Sequence, residues 1–264
     1  MSAETPRTVP PAFVSHGAPT LFIENVSARE FLGGLGARIG RPSAIVVASA
    51  HWETPAPRVG AASRPETIHD FYGFSAELYR LEYPAKGAPE LAGRVAGELR
   101  RAGFAAELDL ARGLDHGVWV PLKLAFPDAA TPVVPLSIQP DLGPAHHLAI
   151  GRALAGIVAE GVWVLASGSA IHNLGELDWG RHDAPPAWAR EFDAWAAARI
   201  AAGDIEALLD YRRQAPHAER AHPREEHLLP LFIALGAAGR GARGQRVHES
   251  FTHGTLSMAA YLFA

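Results

Sequence analysis

The chain has 264 residues, 48% of them hydrophobic, with 13 histidines and no cysteine. That is enough apolar residue for a substantial core, while disulfides, thiolate metal sites, iron–sulfur clusters and cysteine nucleophiles are excluded. Lysine and arginine (24) against aspartate and glutamate (28) leave a formal charge of −4, which offers no basic field for nucleic acid.

From the N-terminus, residues 1–7 contain Glu4 and lead into no apolar stretch, so no secretion signal is expected. No run approaches the roughly 20 apolar residues of a membrane span. A cytoplasmic protein is the expectation. Short apolar runs predict strands over 13–14, 44–48, 132–138, 162–166 and 247–251. Pro135 argues for an edge or bulged position in the third. Between them, residues 89–102 place Leu91, Val95 and Leu99 on one helical face. Residues 148–158 repeat that pattern. Residues 188–200 and 205–212 read as a helix pair, with Asp204 as N-cap of the second. A last helix is expected over 225–237, with Pro230 tolerable near its first turn. The stretches 84–89 and 236–246 read as a turn and a loop. Strands alternating with helices predict an α/β fold: one domain over residues 1–264, with a central mixed or mostly parallel sheet flanked by helices.

His16, His51 and His172 share a context: each follows an apolar run and then small residues. Parallel strands would bring all three to the carboxyl edge of the sheet, where ligands bind in open α/β folds. One such histidine alone is more often a hydrogen-bonded loop residue. Three together point to metal binding or proton transfer. His116 follows Asp115 in a glycine-bounded segment, where the aspartate restrains the imidazole or the pair simply forms a turn. In His222-Pro-Arg-Glu-Glu-His227, residues Glu225, Glu226 and His227 are candidate ligands, although acidic residues also suit a helix start. His146, His147, His182 and His217 read as surface residues. His69 lies with Tyr72 and Phe74 in a pocket wall or in the core, and His248 and His253 receive no role. No phosphate loop or dinucleotide fingerprint is present, and Ser167-Gly-Ser169 lacks nucleophile-elbow spacing. Ser15 and Ser49 sit near histidines, so a serine hydrolase stays open at this level.

A cysteine-free histidine cluster suits zinc or ferrous iron. Six motifs then occur in order: His16-Gly-Ala-Pro-Thr, Ser49-Ala-His-Trp-Glu53, Ile68-His-Asp-Phe-Tyr-Gly-Phe74, Leu114-Asp-His-Gly-Val-Trp119, Ser167-Gly-Ser-Ala-Ile-His-Asn-Leu174 and His222-Pro-Arg-Glu-Glu-His-Leu-Leu-Pro230. Together they resemble the class III extradiol ring-cleavage dioxygenases, in their DOPA 4,5-dioxygenase branch, from about residue 11 to 261. The resemblance implies one divalent metal ion per chain, Fe(II) for activity, with Zn(II) able to take its place. It implies His16, His51 and His227 as ligands, with Glu226 a weaker candidate for the third position. His172 is implied as either a further ligand or the base, and His116 as an acid/base or dioxygen-side partner. The implied substrates are a catechol and dioxygen, with neither nucleic acid nor membrane as partner. The segment 68–83 supplies Tyr72, Phe74 and Tyr79 but no cation for a DOPA carboxylate, and His253 stands where a small or polar residue is expected. A zinc hydrolase on the same histidines and a non-catalytic metal-binding protein on this scaffold are the competing readings.

Overall fold

Residues 9–264 are described by the computed structural model, so the segment read against a secretion signal lies outside them. In chain order, β1 is Ala12–Ser15, α1 Ser27–Ile39, β2 Ala44–Glu53, β3 Arg58–Gly60, α2 Pro89–Arg101, β4 Glu107–Asp109, α3 His116–Ala125 and β5 Val133–Ile138. There follow α4 Gly143–Ala153, α5 Ala155–Ala159, β6 Val162–Gly168, α6 Ala187–Ala202, α7 Ile205–Leu209, α8 Tyr211–Gln214, α9 Ala218–Ala221, α10 Leu229–Ala237, β7 Gly244–His248, β8 Phe251–Thr252, β9 Leu256–Ser257 and β10 Ala260–Phe263. Eight strands make one mixed, mostly parallel sheet in the order β4-β3-β5-β2-β6-β1-β10-β7. β2 pairs in parallel with both β5 and β6, and β6 with β1. β10 and β7 continue the sheet antiparallel. The β8–β9 hairpin stands apart.

The apolar runs are continuous because the central strands bury both faces. Ile45 and Val47 of β2 enter one core layer with α1 and α3, while Ala44, Val46 and Ala48 enter the opposite layer. β6 divides in the same way, with Trp163 and Leu165 on the first side and Val162 and Val164 on the second. Each fully buried aliphatic side chain contributes about 1.5–3 kcal/mol of transfer free energy. Helix α10 is apolar on every side and buried throughout, as such a helix must be. No helix of the described residues is long and apolar enough to cross a membrane.

Several expectations need correcting. Pro135 lies in an interior strand, not at an edge. Its ring packs over Gly60, where a Cβ would stand 2.5 Å from Pro135 Cγ, and β3 pairs with β5 only through Val59 and Leu136. The register irregularity occurs instead in β2, between Ala48 and Glu53. The helix expected over 148–158 starts at Gly143 and breaks at Leu154, and that over 205–212 breaks at Asp210. Asp204 does cap α7, accepting from the Ala207 amide at 3.2 Å. The last helix starts at Leu229 rather than Glu225, with Pro230 in its first turn. The final predicted strand ends at His248, and Glu249–Ser250 turn out of the sheet before β8. Helices α1 and α3 have no sequence signal. Gly33, Gly34 and Gly36 depress propensity in the first, and Pro121 interrupts the second, where burial overrides propensity.

His147 is not a surface residue. It is fully buried, with Nδ1 donating to the Gly143 carbonyl at 2.7 Å and Nε2 accepting from the Gln139 amide at 3.1 Å. Protonation would turn Nε2 against that amide. Burial, partly offset by the Gly143 hydrogen bond, lowers its pKa from 6.5 to about 4. Between those values the unfolded chain binds the extra proton, so this stability is full above pH 6.5 and is lost as pH falls towards 4. Urea unfolding at pH 7 and pH 5 should differ by about 2 kcal/mol on this residue's account. His147→Gln should flatten that part of the profile.

Candidate metal centre

The carboxyl ends of β1, β2 and β6 deliver His16, His51 and His172 to one edge, as the shared sequence context requires. His16 follows β1 directly, and its amide donates to the Gly168 carbonyl at 3.0 Å. His51 lies in the irregular end of β2. His227 precedes α10, and its carbonyl accepts from the Ser169 amide at 2.9 Å. His116 is the first residue of α3 rather than part of a loop.

Three imidazoles converge. His16 Nε2 lies 3.0 Å from His51 Nε2, and His51 Nε2 lies 3.2 Å from His227 Nε2. Their other nitrogens fix the tautomers. Ser167 Oγ donates to the Gly117 carbonyl, so at 3.0 Å from His16 Nδ1 it accepts. His227 Nδ1 donates to Glu226 Oε1 at 3.0 Å, and His51 Nδ1 faces Asp70 Oδ2 at 3.4 Å. With each proton on Nδ1, three bare Nε2 lone pairs point at one another. Burial first, and the neighbouring imidazoles second, hold all three pKa values well below 6.5. Lone pairs so close repel unless a cation lies among them. Metal–nitrogen bonds of about 2.0–2.1 Å put neighbouring ligand nitrogens roughly 3 Å apart, so these residues fit a divalent metal.

Two carboxylates each serve an inner and an outer histidine. Asp70 faces His51 and also places Oδ1 3.0 Å from His116 Nδ1, while accepting the His116 amide at 2.9 Å. Burial opposes its ionisation, but hydrogen bonds from His116 and the charges of His116 and His51 prevail and push its pKa down. Glu226 holds His227 and stands 3.5 Å from His172 Nδ1. Burial again opposes, and the His172 hydrogen bond leads the effects that keep Glu226 ionised. His172 stacks on His227, ring centroids 3.4 Å apart and 12° from parallel. Of three groups of ligand-forming atoms among the described residues, two adjoin here, His16–His51–His116 and His172–Glu226–His227, joined through the His51–His227 contact, and the third, Glu24–His182–His253, is separate.

The aspartate beside His116 in sequence is not its partner. Asp115 accepts from Ser49 Oγ at 2.6 Å and Arg112 at 2.6 Å, and Asp70 takes the expected role. Ser49 is thereby committed to Asp115, and Ser15 Oγ donates to the Ala259 carbonyl, so neither is set up as a nucleophile. His222 is a buried structural residue against Ala170, its pKa lowered by burial to about 3. Glu225 holds Tyr211 and Arg212 away from the centre. His69 is held by the Leu81 carbonyl behind the pocket wall. His253 is buried behind Trp179, ring centroids 4.5 Å apart.

A cavity of about 640 Å³ opens over the histidines, lined by Phe71, Tyr72, Phe74 and Trp179 and also by Glu53 and Arg224. Asp70, Trp179 and Arg224 carried no sequence signal beyond membership of a motif or loop. Backbone contact sets the spacing at the cavity floor. A Cβ on Gly168 would stand 2.0 Å from the His227 carbonyl oxygen. Gly168→Ala should therefore cost about 1–3 kcal/mol in urea unfolding. Gly33→Ala, on the exposed face of α1 with nothing within 4 Å of the new methyl, should stabilise by about 1 kcal/mol.

Comparison with known proteins gives a consistent result. A family model described as the catalytic LigB subunit of aromatic ring-opening dioxygenase matches residues 15–264. A protein of Beta vulgaris named 4,5-DOPA dioxygenase extradiol is 41% identical over 255 residues, covering 95% of each chain. One of the same name from Portulaca grandiflora is 42% identical over 257 residues, covering 95% of this chain and 94% of its own. Another, from Escherichia coli K12, is 39% identical over 233 residues, 87% of this chain and 85% of that one. The crystal structure of an uncharacterized Escherichia coli K12 protein superposes with a TM-score of 0.80 at 34% identity, covering 96% of this chain and 98% of that one.

Proposed function

The chain belongs to the LigB family of aromatic ring-opening dioxygenases, and from that premise we propose that residues 1–264 form one cytosolic catalytic domain that opens a catechol, such as DOPA, beside its hydroxyl pair with dioxygen. The observation that carries this reading is the convergence of three bare Nε2 atoms beneath an aromatic-walled cavity. His16, His51 and His227 would hold the ion. Ferrous iron bound there supplies the redox change and open positions for both substrates.

The chain's own residues orient the ring and move protons. Phe71, Tyr72, Phe74 and Trp179 offer apolar faces to a flat aromatic ring. His172 is assigned the base, in preference to a ligand role. With Nδ1 turned to Glu226, its Nε2 is free to take a hydroxyl proton, and the ionised carboxylate balances the resulting charge. Its stacking on His227 keeps it beside the substrate's binding position. His116, 3.9 Å in ring centroid from His51, turns Nδ1 to Asp70 Oδ1; in its protonated form it would donate through Nε2 as negative charge develops on the dioxygen side, with the Asp70 carboxylate balancing the ring's charge. Glu226 is assigned the outer position behind His227, not a ligand position.

The test is anaerobic reconstitution with Fe(II) after removal of zinc, which nitrogen sites prefer to iron. Addition of dioxygen with DOPA, protocatechuate or catechol should then consume oxygen and yield a ring-opened chromophore. No uptake across the panel overturns the proposal, and ester turnover without oxygen would favour a zinc hydrolase. His172→Ala should lose roughly 100-fold or more in kcat while retaining metal. His16→Ala, His51→Ala and His227→Ala should lose the metal itself. Asp70→Asn should weaken metal affinity by roughly 10–100-fold in a competition titration.

A further inference from the structure

The third group of ligand-forming atoms has no part in the ring-opening chemistry. Glu24, His182 and His253 each bring one such atom to within 4.8 Å of the others. They come from three distant segments: the turn before α1, the loop between β6 and α6, and the turn of the β8–β9 hairpin. Backbone hydrogen bonds already join the last two. The Asp178 amide donates to the His253 carbonyl at 2.9 Å, the Gly254 amide to Arg181 at 2.6 Å and the Asp183 amide to Phe251 at 2.9 Å. His182 therefore sits in a segment tied on both sides to the hairpin that carries His253.

Two further observations point to a ligand. The His253 side chain is only 2% exposed, with Nδ1 3.4 Å from the Trp179 carbonyl and Nε2 3.5 Å from Glu24 Oε1. A proton on Nδ1 serves that carbonyl and leaves Nε2 bare, the arrangement that metal-ligating imidazoles take. A bare lone pair and a carboxylate so close repel unless a cation lies between them. Bonds of about 2.0–2.2 Å at tetrahedral angles put ligand atoms roughly 3.3–3.6 Å apart, which matches the observed separation. The second observation is Glu24 Oε2, which is buried and has no hydrogen-bond partner among the described residues. An ion would relieve that unpaired carboxylate oxygen.

We propose that Glu24, His182 and His253 form a second divalent metal site, for zinc, which fastens the segment carrying Trp179. Two imidazoles and one carboxylate suit a borderline first-row ion better than calcium or magnesium, which take oxygen ligands, and zinc outcompetes ferrous iron on such donors. Three protein ligands leave a fourth position for water. Trp179 lines the cavity and packs on His253, ring centroids 4.5 Å apart. An ion that ties His253 to His182 and Glu24 thereby fixes the seat of that ring. Its role is positional, and the site stands whether or not the chain opens catechols.

The experiment titrates the metal-stripped full chain with Zn(II) alone, against a chromophoric chelator. The wild type should bind two ions per chain. Glu24→Gln and His182→Ala should each weaken the second ion by about 100-fold or more and leave the first, whereas His16→Ala should lose the first and keep the second. Hydrogen exchange read by mass spectrometry gives an independent measure. The second equivalent of zinc should slow exchange of the amides of residues 177–183 in the wild type and not in His182→Ala. One zinc per chain in the wild type, the pattern of a protonated His253 paired with Glu24, overturns the site. A second zinc that both variants retain is adventitious and overturns it equally. Exchange at 177–183 that ignores the second equivalent overturns the fastening role.

Discussion

Three imidazole lone pairs held about 3 Å apart are the constraint on which the rest of this molecule depends. Such an arrangement is repulsive by itself and exists only because each ring has its other nitrogen engaged. Ser167 engages His16, Asp70 faces His51, and Glu226 engages His227. Those partners must in turn be fixed, and the sheet fixes them. Ser167 is the penultimate residue of β6, beside β1 and β2, and the carbonyl of Gly168 receives the His16 amide while the α-carbon of Gly168 abuts the His227 backbone. The parallel register of three strands and the absence of one methyl group thereby set the position of the nitrogens.

Around this floor the polar groups divide by depth. Asp70 and Glu226 each reach two histidines, one in the converging set and one beside it, so orientation of the inner ring and polarity around the outer one are coupled. The shared carboxylates stay ionised because their hydrogen bonds outweigh the cost of burial. The wall is aromatic, and Glu53 and Arg224 bring full charge to solvent.

Much of the frame was legible in the residues. The strands of β2, β5 and β6 stood out because burial on both faces demands unbroken apolar runs, and α2 because one face is charged. Helices α1 and α3 did not, since glycines and Pro121 depress local preference and tertiary packing supplies what propensity lacks. His16, His51 and His172 were marked by their strand-exit context, and His116 and His227 by ordered motifs. Asp115 looked like the partner of His116 because it is adjacent, yet helix geometry turns it to Ser49 and Arg112. His147 looked like a surface residue because polarity is the usual sign of exposure, whereas two backbone partners make its burial tolerable.

By itself the sequence determined the donor chemistry: with no cysteine and many histidines, thiolate is excluded and imidazole nitrogen and carboxylate oxygen are the donors on offer, and the order of motifs named the family. What only the tertiary structure decided is which nitrogen of each ring is bare, which carboxylate stands behind which histidine, and which cation lines the cavity. The reason is that hydrogen bonds and ion pairs act over about 3 Å. The residues that meet at that distance, Asp70 with His116 or Glu53 with Arg224, are 46 and 171 positions apart in the chain. Local pattern places each residue at the sheet edge. Only the folding of distant segments onto that edge chooses its partner.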